Sequence, residues 1–344
     1  MYQEIFILLL FLAIYTLIYK FKSKISNFFH LVDFPNSKRK IHSEPTPLLG
    51  GLFIFILIGL YLYQYNSQIP AREFVSLFSL IIFFFIVGLI DDVFNLNSYF
   101  RLIIMSLATF FSLSNSNFFL ISDLRLINVD HIYFLDQTYI IINSKITALF
   151  LTTLCIMLLV NALNLADGIN GLSAMMITSW LLYIKIFLFN DFSPLGTSGF
   201  IILILISFYI YKGKFFMGDY GVTVGGLFVG LTAIAAYNFQ DINSNTIFVE
   251  ELCLLFIVPG IDMFRLFTER LIKRKDPFSA DNNHLHHILL KKFSLNKTLI
   301  IYFLISFFPI LIFKFFNVNA LIIIALYLIV FFSILSTKLK NIFN

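Results

Sequence analysis

Eleven apolar runs, near residues 4–20, 48–65, 74–90, 102–120, 145–161, 171–189, 198–212, 222–237, 248–266, 298–316 and 319–337, follow one another with only short polar breaks between most of them. In a lipid bilayer every backbone N–H and C=O must be satisfied within the protein, so runs of this length leave little choice but membrane-spanning helices. Charged residues make up 12% of the chain and hydrophobic residues 59%. A soluble domain carries about 25% charged residues and cannot hide this much Phe, Ile and Leu, whereas helix faces turned to lipid can. The predicted fold is an all-α polytopic integral membrane protein with eleven transmembrane helices, or ten, forming a single unit over residues 1–344. Cys155 and Cys253 both lie within apolar runs and read as small buried residues, not as a disulfide or zinc framework. Residues 5–19 have no basic segment before them and no small-residue cleavage site after them, which predicts a retained first span.

Lys and Arg set the orientation. With the N-terminus in the periplasm, 19 of the 24 basic residues fall on inner segments, and Arg72, Arg125, Lys145, Lys185 and Lys314 lie outside or toward outer span ends. The net charge of +5 is thus a topology signal and no nucleic-acid footprint. The same parity predicts that residues 20–47, 91–101, 161–171, 212–221 and 267–297 are cytoplasmic. Among the outer loops 121–144 is the long one, where Tyr133, Tyr139, Ile140, Ile141 and Ile142 around Asp136-Gln137-Thr138 predict a small hairpin. The hydrophilic segment 267–297 predicts a short amphipathic helix and a loop.

All the polar motifs then gather on one face, where a carboxylate beside lipid is costly unless partnered. Asp91 and Asp92 repel each other and are easiest to hold beside a cation such as Mg2+ or beside Arg101; the bland alternative is a solvated helix end. Asn161, Asn164, Asp167 and Asn170 are spaced three apart, so on a helix they form one polar stripe, with Gly168 and Gly171 allowing the chain to turn. Interhelical hydrogen bonding is the competing reading. Gly218-Asp219-Tyr220-Gly221 suits a tight turn that aims a carboxylate at a ligand, with a helix N-terminus behind it favouring phosphate oxygens, and Phe216 is placed to stack on a flat base. A plain turn uses the same residues. In the loop from Asp276 to His287 three of the six histidines, His284, His286 and His287, fall within four positions. A zinc site would need further ligands, so hydrogen bonding to a polar or anionic substrate fits better; on a helix His284 and His287 share a face and His286 points elsewhere. The first inner loop, with Lys38, Arg39, Lys40 and His42 before Pro45-Thr46-Pro47 and Gly50-Gly51, reads as a topology and headgroup signal or as cations set for a phosphate, followed by a rigid turn into a closely packed span.

Taken in order, His42 to Gly51, Asp91-Asp92 with Arg101, Asn161 to Gly171, Phe216 to Gly221, Pro259-x-x-Asp262 and Pro277-Phe278 to His287 resemble the polyprenyl-phosphate N-acetylhexosamine-1-phosphate transferases of glycosyltransferase family 4. Within them the chain resembles the bacterial branch that starts O-antigen, enterobacterial common antigen and wall teichoic acid synthesis. The first loop lacks the Gly-Thr-Pro-Thr-Met-Gly-Gly of the translocase that makes lipid I, so UDP-MurNAc-pentapeptide is not the expected substrate. Arg101 stands where many relatives have Lys, and Asn170 where relatives vary between Asp and Asn. The resemblance implies transfer of a sugar 1-phosphate, GlcNAc-1-phosphate first among candidates, from a UDP-N-acetylhexosamine to undecaprenyl phosphate in the bacterial inner membrane, with release of UMP. It further implies that Asp219 and Asn164 ligate Mg2+, or Mn2+ in its place. Asp167, Asn170 and Phe216 would hold uridine, Arg101 a phosphate, and His284, His286 and His287 the sugar or diphosphate, with Asn161 and His42 as further substrate-binding residues. Relatives are often homodimers.

Asp91 and Asp92 fit acceptor organisers, acting through Arg101, the metal or water, better than a general base. A phosphomonoester with a second pKa of roughly 6 is already mostly a dianion at neutral pH and gains little from deprotonation. Alternatives are the same chemistry on UDP-QuiNAc, UDP-FucNAc or UDP-GalNAc, a secondary transporter or lipid carrier, which would need ionisable residues near mid-membrane and an internal repeat, and a non-catalytic scaffold.

Overall fold

The computed structural model describes residues 2–35, 44–64, 70–116, 118–126, 139–188, 195–239, 247–278, 283–316 and 318–339. Among them are thirteen α-helices: α1 (Tyr2–Lys20), α2 (Lys22–Phe28), α3 (Gly50–Gln64), α4 (Ala71–Phe94), α5 (Ser98–Leu113), α6 (Lys145–Ala166), α7 (Leu172–Tyr183, continued as a π-helical turn Ile184–Leu188), α8 (Thr197–Tyr211), α9 (Asp219–Asn238), α10 (Val249–Ile272), α11 (Leu285–Lys292), α12 (Leu295–Phe316) and α13 (Ala320–Leu339). Each of the eleven apolar runs forms one of these helices, and α2 and α11 are short additions. Five of the helices, α1, α4, α6, α9 and α12, are long and apolar enough to cross a bilayer. Helix α10 is as long as α4 but carries Glu250, Glu251, Asp262 and Arg265. The chain is an all-α polytopic membrane protein.

Helix α9 is the hub. It packs against α3, α4, α6 and α7, and every residue from Tyr220 to Tyr237 is buried. Its sequence explains the central position, because small residues recur at four-residue intervals and let neighbouring backbones come close. A Cβ on Gly221 would lie 2.5 Å from the Gly51 Cα of α3, one on Gly225 would meet Ile177 of α7 at 2.4 Å, and one on Gly226 would lie 3.3 Å from the Val160 Cα of α6. From α4, Gly88 completes the contact, since a Cβ there would sit 2.3 Å from the Tyr220 Cα. The predicted close packing at Gly50-Gly51 is thus an approach to the start of α9. The preceding segment is tied to the same point: Phe216 N donates to Pro47 O, Gly50 N to Phe216 O and Gly51 N to Met217 O, each at 2.8 Å.

Helix α10 runs through Pro259, which has no N–H for the carbonyl of Leu255. Trp180 of α7 supplies the missing donor, its Nε1 lying 3.0 Å from Leu255 O, so the helix continues and delivers Asp262 three residues later. Strand β1 (Val32–Asp33) pairs antiparallel with β2 (Thr46–Pro47), and β3 (Asp123–Arg125) with β4 (Tyr139–Ile141). The second pair is the predicted hairpin, with the expected residues Tyr139–Ile141 as one arm and Asp123–Arg125 as its partner. Leu124 pairs with Ile140 because Arg125 and Asn238 pin this arm to the end of α9: Arg125 Nη1 donates to Tyr237 O, and Asn238 Nδ2 to Phe118 O and Leu120 O, all at 2.8 Å. Tyr133 and residues 136–138 lie outside the described residues, as do Lys38, Arg39, Lys40 and His42.

Candidate active site

Four helices bring their polar ends together at the start of α9. The last turns of α4 carry Asp91 and Asp92, the first turn of α5 carries Arg101, the last turn of α6 carries Asn164, and Asp219 opens α9. Arg101 is the common partner. Its Nη1 donates to Asp91 Oδ2 and, at 3.3 Å, to Asp219 Oδ2. Asn164, with its amide turned to suit both neighbours, donates to Asp219 Oδ1 at 3.0 Å and accepts from Arg101 Nη2 at 2.9 Å. A planar guanidinium fork can span three such acceptors at once, which a lysine ammonium could not do in one plane. The Arg101 expected to take a phosphate is therefore engaged by Asp91, Asp219 and Asn164.

The adjacent acids divide sharply. Asp91 is buried, with Oδ1 accepting the backbone N–H of Leu96 at 2.8 Å and Oδ2 paired with Arg101. Asp92 turns the other way, and its Oδ1 and Oδ2 accept the backbone N–H groups of Asp219 at 3.0 Å and Tyr220 at 3.2 Å. The N-cap of α9 is Gly218, which has no capping side chain and a φ of 75° that favours glycine. Asp92 thus caps α9 from α4. This overturns the expectation that the α9 N-terminus is open to phosphate oxygens: a protein carboxylate already uses two of its first N–H groups. Asp219 itself keeps 39% of its side-chain surface open against 4% for Asp91, so it is the carboxylate left to meet a ligand.

The predicted stripe of Asn161, Asn164, Asp167 and Asn170 is helical only in its first half. Helix α6 ends at Ala166, Asp167 is its C-cap, and the chain turns through Gly171 at φ 87° into α7. Asn161 back-bonds within α6, its Nδ2 donating to Met157 O at 3.0 Å. Asp167 accepts from Ser173 Oγ in the first turn of α7. Burial beyond the end of α6 pushes its carboxyl up to about 6, against the hydrogen bond from Ser173, which lowers it. Asn170 faces the turn between α8 and α9, where a Cβ on Gly213 would lie 3.6 Å from its Nδ2. Phe216 is partly buried beside the 47–50 segment.

The histidine loop closes over this turn. A Cβ on Gly168 would lie 2.2 Å from His286 Nε2 and 2.8 Å from His287 Nε2, so both rings rest directly on its backbone. The predicted amphipathic helix is α11, but His284 is its N-cap, and His286 does not point away. The rings of His284 and His286 stack at 5.6 Å and 11° between planes, and His286 and His287 lie 4.2 Å apart. His286 is fully buried, and neither ring nitrogen has a hydrogen-bond partner among the described residues. Burial first, and then the neighbouring His287 and His284, hold its imidazole well below the usual histidine range.

Three residues given no site role by sequence reasoning shape the surroundings. Ser173 was hidden in an apolar run. Tyr99 OH donates to Asp276 Oδ1 at 2.8 Å and its ring meets Phe278 at 4.5 Å, latching the chain after α10 onto the start of α5. Arg265 pairs with Asp262 at 2.8 Å, an i,i+3 spacing readable on a helix, since both residues fall within the apolar run 248–266.

A divalent cation would find a pair of oxygens here once the Asn164 amide turns its oxygen toward Asp219. Ligands cis to each other around Mg2+ at about 2.1 Å stand about 3.0 Å apart, and the Asn164 amide lies 3.0 Å from Asp219 Oδ1. Among the described residues no group of three His, Cys, Asp or Glu converges as a complete metal cage. One carboxylate and one amide, with phosphate and water oxygens for the rest, is the sparse protein contribution that Mg2+ commonly takes.

The family model described as glycosyl transferase family 4 matches residues 74–237, which hold every residue of the Arg101 and Asp167 groups. Over that stretch, just under half of its length, the chain is similar to glycosyl transferase family 4. Across a longer stretch the chain is similar to proteins named undecaprenyl-phosphate alpha-N-acetylglucosaminyl 1-phosphate transferase. It is 27% identical to that of Yersinia pestis over 76% of this chain and 70% of the relative. The Escherichia coli K12 protein is 26% identical over 80% and 73%, and the Thermotoga maritima protein 27% over 80% and 78%. Asp262 and the histidines lie beyond the family model's match.

Proposed function

We propose that this chain transfers an N-acetylhexosamine 1-phosphate, GlcNAc-1-phosphate first among candidates, from a UDP-sugar to undecaprenyl phosphate. The reading is carried by one observation: Asp219, Asn164 and Arg101 form a single hydrogen-bonded group beside a turn that holds Asp167 and is roofed by His286 and His287. The names of the similar proteins support both the acceptor and the sugar. The basic-residue bias supports a cytoplasmic site in the bacterial inner membrane, where a soluble donor meets a lipid phosphate at the inner leaflet.

In this scheme an acceptor phosphate oxygen forms a bond to the sugar-bearing phosphorus of the donor. The bond from that phosphorus to the bridging oxygen breaks, and the oxygen leaves with UMP. Asp219 and Asn164 would hold Mg2+, or Mn2+, which supplies neutralisation of the diphosphate charge as UMP departs. Asn164 can serve either state, since rotating its amide turns its oxygen toward Asp219 and its N–H groups toward Arg101. That same rotation removes the acceptor Arg101 uses, freeing its guanidinium to turn to a phosphate while Asp91 keeps its other edge. Asp92 holds Asp219 in place through the backbone. Asp167, Asn170 and Phe216 take the uridine side, and His284, His286 and His287 take the sugar and diphosphate. The acceptor dianion needs no protein base.

The test uses membrane vesicles containing the chain, Mg2+, undecaprenyl phosphate and a panel of radiolabelled UDP-sugars, including GlcNAc, GalNAc, QuiNAc and FucNAc. A butanol-extractable labelled lipid with matching UMP release is expected, strongest with UDP-GlcNAc. Absence of product with every sugar would sink the reading, and product with a different sugar alone would reassign the donor.

A further inference from the structure

The Pro259-x-x-Asp262 motif has no task in the scheme above, yet Asp262 is among the most heavily engaged acids in the chain. It is 4% exposed, on α10, and faces the loop that carries the histidines. Its Oδ2 accepts the backbone N–H of Leu285 and pairs with His284 Nδ1, both at 3.0 Å. Its Oδ1 pairs with Arg265 Nη2 at 2.8 Å, and that same nitrogen donates to Asn283 O at 2.7 Å. Two side chains on one turn of α10 therefore hold three consecutive residues, Asn283 and Leu285 by their backbone and His284 by its ring.

Three consequences follow from this geometry. Helix α11 has no side-chain cap of its own, so Asp262 supplies the N-terminal acceptor from another helix, as Asp92 does for α9. The carboxylate also selects the tautomer of His284: with a hydrogen on Nδ1 bound to Asp262, the neutral ring presents Nε2 as an acceptor. The His284 ring in turn stacks on His286, which rests with His287 on Gly168, next to Asp167. The clamp is thus linked through three rings to the turn opposite, while it touches neither Asp219, Asn164 nor Arg101 among the described contacts.

We infer that Asp262, with Arg265, is a positioning residue that sets the three histidines over the Asp167 turn and so governs how the sugar end of the donor is held, separately from its nucleotide end. This rests on the donor reading above for the sugar, but on geometry alone for the clamp. The side chain does not touch the reacting atoms; it acts through His284 and the backbone of α11.

The experiment uses the purified full-length chain in detergent, as wild type, Asp262→Ala and Asp262→Asn, with two readouts. Amide hydrogen exchange of residues 285–292 is followed without ligand, and binding of UMP and of UDP-GlcNAc is measured in parallel. Losing hydrogen bonds to a buried carboxylate corresponds to about a tenfold effect or more. Asp262→Ala is expected to speed exchange across α11 by about that factor, weaken UDP-GlcNAc about tenfold, and leave UMP within about twofold. Asp262→Asn keeps one oxygen for Leu285 and should fall between, which also serves if the alanine variant does not fold. Unchanged exchange in α11 would overturn the clamp. Equal weakening of UMP and UDP-GlcNAc, or of neither, would overturn the sugar-end assignment. If wild-type protein binds neither ligand, the donor reading itself fails, while the exchange result still decides the clamp.

Discussion

Replacing Asp92 separates two accounts of the Asp91-Asp92 pair. Its carboxylate accepts the N–H groups of Asp219 and Tyr220, at 3.0 and 3.2 Å, at the head of a helix that is buried from Tyr220 to Tyr237. A lost N-cap costs about 0.5–2 kcal/mol, and a carboxylate at a partly buried helix N-terminus adds up to about 2 kcal/mol. These contributions overlap, so Asp92→Ala should destabilise the chain by about 2–3 kcal/mol, and Asp92→Asn, which keeps one acceptor but loses the charge, by about 1 kcal/mol. The assay is reversible unfolding of the detergent-solubilised protein, paired with turnover of UDP-GlcNAc. A cap predicts the same order, wild type above Asn above Ala, in both measurements, with Asp92→Asn retaining turnover to within about tenfold because Asp219 is still held. A general base predicts something else: loss of about 10²–10⁴ in rate for Asn and Ala alike, with no matching order in stability. An Asp92→Ala protein as stable as wild type, together with an inactive Asp92→Asn, would refute the capping argument.

Other expectations follow from the same packing and site. Gly88→Ala puts a Cβ 2.3 Å from the Tyr220 Cα, backbone against backbone, and should destabilise by about 1–3 kcal/mol or more in the same unfolding assay; a neutral result would mean that α4 and α9 are not so closely packed. Asp219→Asn should leave the folded yield unchanged while weakening Mn2+ binding, read by electron paramagnetic resonance, and abolishing turnover; unchanged turnover would sink the metal assignment. His286→Leu should hold or raise stability, because two unpartnered buried nitrogens are removed, yet lower UDP-GlcNAc turnover; a clear loss of stability would show that the ring nitrogens are satisfied in the resting protein. The pH dependence has a definite sign. The unfolded ring takes up a proton below about 6.5, whereas the folded ring, buried and beside His287 and His284, resists it against the opposing pull of Asp262, so its contribution is complete above that pH and is lost as the pH falls below it. His286→Leu should flatten that part of the stability profile.

Apolar run length alone determined that the chain is helical and membrane-embedded, because unsatisfied backbone in lipid is too costly for any other outcome. The eleven runs 4–20 through 319–337 each became a helix, and the Gly50-Gly51 turn is tightly packed as its residues suggested. Motif content also marked Asp91, Arg101, Asn164 and Asp219, which do meet at one point. Helix periodicity, though, says nothing about where a helix stops. That is why the Asn161 to Asn170 stripe breaks at Ala166 and why α10 runs on to Ile272, past its apolar run.

Partner choice was decided only by tertiary structure. Adjacent in sequence, Asp91 and Asp92 point into different neighbourhoods, one to Arg101 and the other to the backbone of α9. Neither role can be read locally, because a carboxylate's work depends on which donors converge on it, and those donors come from residues 127 positions away for Asp92 and 22 and 23 positions away for Asp262. Composition and spacing limit which groups are available near a membrane face. Their pairing is set by the close approach of α9 to α3, α4 and α6, which small residues permit and a chain of letters does not display.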